Sequence, residues 1–191
     1  MKTLLLMRHA KSSWKEKNTP DHERPLNKRG RRDAPRMGHL LQDRELTPQI
    51  ILSSSALRSR QTAELVAETA EYTAEVLYLD ELYMAEPEGY IAALRKLPDT
   101  VERVLLIGHN PGLETLLQML SNRIESLPTA VLADIALPID EWSVLNNNVE
   151  GELVEIWRPK ELQEEPVEVM KEKEKEKEKD KPKAKHKKKD K

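Results

Sequence analysis

Short apolar runs alternate with longer stretches of helical hydrophobic spacing along the first 157 residues. The short runs predict buried strands, and apolar positions three and four residues apart predict helices. The predicted strands are Lys2–Met7, Ile50–Leu52, an edge-like Val76–Leu79, Arg103–Ile107, Val131–Leu137 and Leu153–Trp157. The predicted helices are one that follows Asn27, and those at Ala56–Ala70, Pro87–Leu97 and Pro111–Leu120.

The first helix has a defined start and an internal proline. Asn27 is a suitable N-cap residue. The helix then carries Ala34, Met37, Leu40 and Leu41 at helical spacing. Pro35 predicts a late or interrupted start, because proline is tolerated only in the first turn of a helix. The polar residues 11–25, which include two prolines, predict a surface loop.

This alternation of strands and helices predicts an α/β fold. The expected architecture is a three-layer α/β/α sandwich with a mostly parallel central sheet. In such sheets, ligands bind beyond the carboxyl ends of the strands. Chemistry-bearing residues are therefore sought at those ends.

Composition changes sharply near residue 160. Residues 160–191 hold 13 Lys and 10 acidic residues with few apolar ones, and they alternate Lys and Glu from Lys171. Such a segment cannot bury a core, so we expect one domain at 1–159 and a disordered, charged tail at 160–191. The tail leaves residues 1–159 with a net charge of roughly −5. An acidic domain disfavours nucleic-acid binding as its primary role.

The chain of 191 residues has no Cys, which excludes thiol catalysis and Cys-based metal sites. No apolar run approaches the length of a membrane span. The N-terminal run of Leu is interrupted by charge too early for a signal peptide. We therefore expect a cytoplasmic protein without a membrane span, and a monomer.

Positively charged and histidine side chains follow three of the predicted strands. Arg8 and His9 end the first strand. Taken alone, this pair also fits an ordinary surface turn. After the second strand, Ser55 is a possible helix cap, and Arg58 lies in the first helical turn. The helix dipole favours an acid there, so a negative partner for Arg58 is inferred. Arg60 is interpreted as a solvated charge.

The fourth strand ends in Gly108-His109-Asn110-Pro111. Asn110 fits an N-cap and Pro111 a first helical position. Gly108 permits close backbone approach, so His109 can face the same crevice as His9. Two His and two Arg from three strand ends are difficult to assign to packing, and they predict a shared anion site.

These residues resemble those of a known family. The motifs are Arg8–Ser12, Asp21-x-x-Arg24-Pro25-Leu26, the Ser-x-x-x-Arg segment that ends at Arg58, and Gly108–Pro111. Together they resemble the histidine phosphatase, or phosphoglycerate mutase-like, superfamily over residues 1–158. The small size and the first two motifs are similar to the SixA-type phosphohistidine phosphatases. The resemblance implies a phosphoglycerate mutase-like fold.

The resemblance also implies catalytic roles. His9 attacks phosphorus and forms a phosphohistidine enzyme, while Arg8, Arg58 and His109 bind the equatorial oxygens. Arg24 and Ser12, with Lys11, are expected on the pocket rim as substrate-binding residues. Arginine forks supply the positive charge, so no metal and no cofactor is expected. The expected partner is a protein that carries phosphohistidine.

One departure from the family bears on the substrate. Many members carry a Leu-x-Glu segment whose Glu protonates the leaving alkoxide, whereas Met84 takes that position here. An imidazole leaving group, with a conjugate-acid pKa of about 6.5, needs far less help than an alkoxide. The missing acid therefore favours phosphohistidine as substrate. Glu81, Glu86 or Glu88 could replace the acid after a backbone shift, or could be surface carboxylates.

Three alternatives remain open from the sequence. The chain could be a small-molecule phosphomonoesterase of the same superfamily, a mutase, or a non-catalytic phosphate-binding module. A mutase usually carries insertions over the pocket, for which this chain has little room. His22 and His39 are interpreted as structural or solvated, and Trp14, Trp142 and Trp157 as packing residues.

Overall fold

The computed structural model describes residues 1–15 and 18–162. Within them the strands are β1 (Lys2–Arg8), β2 (Ile50–Ser54), β3 (Val76–Leu79), β4 (Arg103–Gly108), β5 (Leu132–Leu137) and β6 (Glu152–Trp157). The helices are α1 (Lys28–Asp43), α2 (Leu57–Thr69), α3 (Pro87–Leu94) and α4 (Gly112–Ser121). Each agrees with a predicted element to within a few residues, which is the usual uncertainty of helix and strand ends.

The six strands form one sheet in the order β3-β2-β4-β1-β5-β6. Strands β1 to β4 are mutually parallel, β5 runs antiparallel to β1, and β6 runs antiparallel to β5. The sheet is therefore mostly parallel, as predicted, and β3 is an edge strand. β1 and β4 lie side by side with Arg8 opposite Gly108. This register brings the two histidine-bearing strand ends to the same edge of the sheet.

Side-chain alternation along β1 divides the core into two layers. Leu4 and Leu6 are fully buried in a cluster with residues of α3 and α4. Leu5 and Met7, also fully buried, face the opposite side because successive side chains of a strand alternate. On that side α2 contacts β2 and β4, and α1 packs along α2. The predicted three-layer arrangement is confirmed.

The predicted interruption of α1 at Pro35 is wrong. Asn27 caps the helix as predicted, with its side-chain oxygen accepting from the Gly30 amide at 2.9 Å. The helix nevertheless continues through Pro35 to Asp43. An internal proline costs about 3 kcal/mol. Burial of the apolar face of α1 offsets this cost, and the Pro35 carbonyl accepts a hydrogen bond from Thr69 Oγ1 of α2 at 3.0 Å.

The compact unit that contains all these elements spans Met1–Glu161. The predicted tail at 160–191 lies almost entirely outside the described residues, so its disorder stays a prediction. No helix in the described part of the chain has the length and apolar character needed to cross a membrane.

Candidate active site

The ends of β1, β2 and β4 open into one cleft of about 530 Å³. Its lining includes every site residue predicted from the sequence: Arg8, His9, Ser12, Arg24, Arg58 and His109. Lys11 also lines it. The His9 amide donates to the Gly108 carbonyl at 3.1 Å, which ties the β1 and β4 ends together. The His9 and His109 ring centroids lie 5.0 Å apart.

Two hydrogen bonds fix the orientation of the His9 ring. Its Nδ1 lies 2.8 Å from the Ala10 carbonyl oxygen, which can only accept, so Nδ1 carries the proton. Its Nε2 accepts from Arg58 Nε at 3.2 Å. The lone pair on Nε2 is therefore directed at Arg58, on the wall of the cleft. This is the nitrogen from which a nucleophilic attack would start.

Arg58 is only 2% exposed and forms hydrogen bonds with several residues of the cleft. Besides donating to His9, its guanidinium donates to the Asp21 carbonyl at 2.6 Å and to Asp21 Oδ2 at 3.0 Å. It also donates to His109 Nδ1 at 3.3 Å. The negative partner inferred for Arg58 is thus present within the chain, as the Asp21 carboxylate.

The cap predicted for α2 is wrong. The helix begins at Leu57 with Ala56 at the cap position, and the Ala56 amide donates to Ser54 Oγ at 3.3 Å. Ser55 Oγ instead lies 3.0 Å from His22 Nε2. This bond ties the loop before α1 to the start of α2. It gives His22 the structural role predicted for it.

His109 is held from both its ring and its backbone. Its Nδ1 accepts from Arg58, so Nε2 carries the proton and donates to Ser54 Oγ at 2.8 Å. Its amide donates to the Tyr90 hydroxyl at 3.1 Å, and that hydroxyl donates to the His109 carbonyl at 3.3 Å. A Cβ on Gly108 would lie 2.5 Å from the same hydroxyl. Gly108 is therefore required by the approach of Tyr90.

The cap predicted for α4 is also wrong. The helix begins at Gly112, with Pro111 rather than Asn110 at the cap position. The Asn110 side chain turns away and donates to the Leu127 carbonyl at 3.0 Å. Arg8 donates to the same carbonyl at 3.0 Å. Asn110 thus supports the loop that holds Arg8, and it lines the cleft.

Some N–H groups of the cleft arginines have no hydrogen-bond partner in the described residues. Among the described residues, Arg8 Nε is buried without a hydrogen-bond partner, and so are Nε and Nη1 of Arg24. Nη2 of Arg24 donates to Ser12 Oγ at 3.1 Å. A buried unpaired donor of this kind is costly unless a ligand satisfies it. Their clustering around His9 fits a ligand with several negative oxygens.

Both cleft histidines are neutral at physiological pH. Burial, the largest cause, lowers the pKa of His9 to about 3; the hydrogen bond to Ala10 opposes this and the charges of Arg58 and Arg8 add to it. Burial likewise lowers the pKa of His109 to about 3, with contributions from His9 and Arg58. A neutral imidazole keeps the ring-nitrogen lone pair that nucleophilic attack requires.

Comparison with known proteins identifies the family. Residues 4–135, most of the chain, match the model of the histidine phosphatase superfamily, branch 1. The protein belongs to the histidine phosphatase superfamily. The predicted superfamily is therefore confirmed, and members of this superfamily are enzymes of the phosphatase and mutase type.

Solved structures agree with the SixA-type assignment. A protein from Agrobacterium tumefaciens named phosphohistidine phosphatase SixA is 28% identical, with a TM-score of 0.71 over 83% of this chain and 98% of that chain. The protein histidine phosphatase SixA in complex with tungstate shares the fold, with 24% identity and a TM-score of 0.73 over 84% of this chain and 99% of that chain.

Among curated proteins, an uncharacterized chloroplastic protein of Arabidopsis thaliana is 34% identical over 136 residues. That match covers 66% of this chain and 62% of the plant protein, so the chain spans less than two thirds of that relative. Phosphoglycerate mutase 1 of Saccharomyces cerevisiae is 36% identical over 73 residues, which is 37% of this chain and 30% of the mutase.

Asp21 was not predicted as a site residue. In this member of the superfamily its Oδ2 accepts from Arg58 at 3.0 Å and from the Tyr83 hydroxyl at 2.7 Å. Partial burial alone would raise the pKa of Asp21, but the hydrogen bond from Tyr83 and the charge of Arg58 outweigh it and lower the pKa. The sequence feature that could have indicated Asp21 is its spacing to Arg24, a predicted site residue. This spacing places Arg24 Nε 3.2 Å from Asp21 Oδ1.

The three glutamates considered as replacement acids lie outside the cleft. Glu81 is exposed and pairs with Lys96 at 3.3 Å. Glu86 and Glu88 are exposed and do not line the cleft. Met84, half exposed and with a left-handed φ of 51°, lines the rim instead. Asp21 is the one carboxylate in the cleft lining among the residues that the structure describes.

The interpretation of Trp14 as a packing residue is wrong, whereas that of the other two tryptophans is confirmed. Trp14 is 71% exposed and lines the cleft, with the Arg24 guanidinium carbon 3.3 Å from its ring centroid. It therefore stacks on a cleft arginine. Trp142 and Trp157 are buried. Within residues 1–15 and 18–162, no group of three or more His, Asp or Glu side chains could hold a metal ion.

Proposed function

We propose that this histidine phosphatase hydrolyses phosphohistidine on a protein substrate, through a phosphohistidine intermediate on His9. The proposal rests chiefly on one observation. The cleft holds a neutral, oriented imidazole, His9, beside the cationic side chains of Arg8 and Arg58. Among the described residues, its lining has no protonated carboxyl group that could donate a proton to a poor leaving group.

In the first step, the lone pair of His9 Nε2 attacks phosphorus. The new P–N bond forms as the bond from phosphorus to the substrate nitrogen breaks, and the electron pair stays on that nitrogen. Arg8 and Arg58 stabilise the negative charge that spreads over the three phosphoryl oxygens in the transition state. The neutral His109 ring accepts from Arg58 at Nδ1 and so helps to hold this guanidinium in place.

In the second step, water attacks phosphorus and the bond to His9 Nε2 breaks. The proton on Nδ1, held by the Ala10 carbonyl at 2.8 Å, stays in place throughout. His9 therefore leaves as neutral imidazole rather than as an anion. The water supplies the oxygen and protons of the product, inorganic phosphate, and the enzyme returns to its starting state. No step requires a metal or a cofactor, because the arginines supply the positive charge.

The electrostatics of the cleft favour an imidazole over an alkoxide as leaving group. Asp21 is held ionised by its lowered pKa, so it has no proton to give at neutral pH. Met84 has none either. An alkoxide with a conjugate-acid pKa of roughly 12 or more would need such a donor, whereas imidazole, at about 6.5, does not. The substrate panel below separates phosphohistidine from small phosphate monoesters, the second candidate class.

The test is a substrate panel run at one pH. A phosphohistidine-bearing protein, free phosphohistidine and a set of alkyl and sugar phosphate monoesters are compared by kcat/KM. We expect the phosphohistidine substrates to be preferred by orders of magnitude, with the protein best. A preference for the monoesters of similar size would defeat the proposal. The absence of turnover on every substrate, with binding retained, would indicate a phosphate-binding module. A monomeric, cytoplasmic protein stays a prediction.

A further inference from the structure

The two oxygens of the Asp21 carboxylate have different hydrogen-bond partners. Its Oδ2 accepts from Arg58 at 3.0 Å and from Tyr83 at 2.7 Å. Its Oδ1 has Arg24 Nε at 3.2 Å, but Arg24 Nε lacks hydrogen-bond geometry to any described partner. A carboxylate offers about four acceptor positions. Oδ1 therefore retains capacity to accept from a ligand.

The position of Asp21 suits the leaving-group side of the reaction. Its side chain lines the cleft and is 45% exposed, so it faces the open part that a bulky substrate must enter. Arg58 separates it from His9, since the same guanidinium donates to His9 Nε2 and to Asp21. A phosphoryl group held by Arg58 and attacked by His9 would extend its leaving group away from His9, toward this open side.

We propose that Asp21 is a catalytic residue whose carboxylate accepts a hydrogen bond from the non-phosphorylated ring nitrogen of the phosphohistidine substrate. This inference rests on the proposed function. The substrate imidazole then carries its phosphoryl group on one nitrogen and a proton on the other. When the P–N bond breaks, the electron pair passes to the first nitrogen while the second keeps its proton, and neutral imidazole leaves.

His9 provides an internal parallel for this role. Its own Nδ1 proton is held by the Ala10 carbonyl at 2.8 Å, so the enzyme's phosphohistidine is kept in the protonated form that releases phosphate readily. Asp21 would do for the substrate ring what Ala10 does for His9. As an anion, it also favours a positively charged ring over the neutral alkyl or sugar groups of phosphate monoesters.

The test compares two small substrates in wild type and Asp21→Asn. Phosphoimidazole has a second ring nitrogen that can carry a proton. p-Nitrophenyl phosphate has none, and its leaving phenolate needs no proton. Because a hydrogen bond to a charged group is lost, we expect kcat/KM for phosphoimidazole to fall roughly 10- to 100-fold in Asp21→Asn. The value for p-nitrophenyl phosphate should change only a few fold.

Asp80→Asn is the matched control. Asp80 is an exposed aspartate three residues before Tyr83, and it does not line the cleft. This variant should leave both substrates unaffected. The pH dependence of kcat is a second readout. The basic limb with phosphoimidazole should move to lower pH in Asp21→Asn, since the carboxylate no longer holds the ring proton.

Each other outcome overturns the inference. An equal loss on both substrates, with an unmoved pH profile, would mean that Asp21 only positions Arg58. An unchanged kcat/KM for phosphoimidazole would mean that Asp21 has no role in its departure. If wild type turned over p-nitrophenyl phosphate but not phosphoimidazole, the proposed function itself would fail, and this inference with it.

Discussion

Acidification should destabilise this protein through the two buried histidines of its cleft. Burial lowers the pKa of His9 and of His109 from 6.5 to about 3. In the unfolded chain both rings regain the ordinary value. Between these two values the unfolded state binds protons that the folded state does not, so stability falls as the pH falls through this window.

The size of the effect follows from the two pKa values. From pH 7 to pH 5, each histidine should lower the free energy of unfolding by about 2 kcal/mol, and the pair by about 4 kcal/mol. Well above pH 6.5 the two rings are neutral in both the folded and the unfolded state, so they cause no loss of stability. The stability of an ordinary domain is about 5–15 kcal/mol, so a loss of this size is a large fraction of the total.

Urea denaturation at pH 7 and pH 5, followed by tryptophan fluorescence, measures this loss. The reference is the double variant His9→Gln, His109→Gln, which keeps every other titrating group. Its free energy of unfolding should change with pH by about 4 kcal/mol less than that of wild type. Equal pH dependence in the two proteins would refute the reasoning, because it would show that these rings titrate normally in the folded state.

Four further results are expected. Tyr90→Phe, which leaves the buried His109 amide unsatisfied, should lower the free energy of unfolding by about 1–3 kcal/mol in urea denaturation and should lower kcat/KM; unchanged stability would contradict the hydrogen bonds described. Arg58→Lys keeps the charge but loses the planar fork, so kcat/KM should fall roughly 100-fold or more while circular dichroism is unchanged; near-normal turnover would show that the fork is dispensable. Deletion of residues 160–191 should leave turnover of a small substrate intact, and a large loss would show that the tail acts in catalysis. Dialysis against EDTA should leave kcat unchanged, and inactivation restored by added metal would contradict the arginine-based mechanism.

Patterns that depend on burial and strand order could be predicted from the sequence. The strand β1 is an apolar run, and its neighbour β4 is another, so their parallel pairing brings Arg8 and Gly108 to the same edge. That pairing is enough to bring His9 and His109 together. The fold and the convergence of the six predicted site residues followed from this regularity and from the family motifs.

Predictions of which partner a single side chain contacts were less accurate. Ser55 and Asn110 have good cap chemistry, but tertiary partners, His22 and Leu127, take their polar atoms. Trp14 is aromatic in a loop, and only the proximity of Arg24 makes it a stacking surface. Local propensity cannot reveal partners that are distant in sequence.

Asp21 was missed for a related reason. Its spacing to Arg24 was visible, but its contacts with Arg58 and Tyr83 span 37 and 62 residues. Such contacts are set by the packing of the loop that precedes α1 over the start of α2. Only the structure places this carboxylate at the mouth of the cleft.

The central claim is that His9 takes the phosphoryl group from a phosphohistidine donor. A single-turnover experiment with a donor protein labelled with ³²P on histidine tests it directly. Acid-labile, base-stable label should appear on the wild-type enzyme, decay to inorganic phosphate, and be absent from His9→Gln. Release of labelled phosphate without any label on the enzyme, or equal labelling of His9→Gln, would contradict the account.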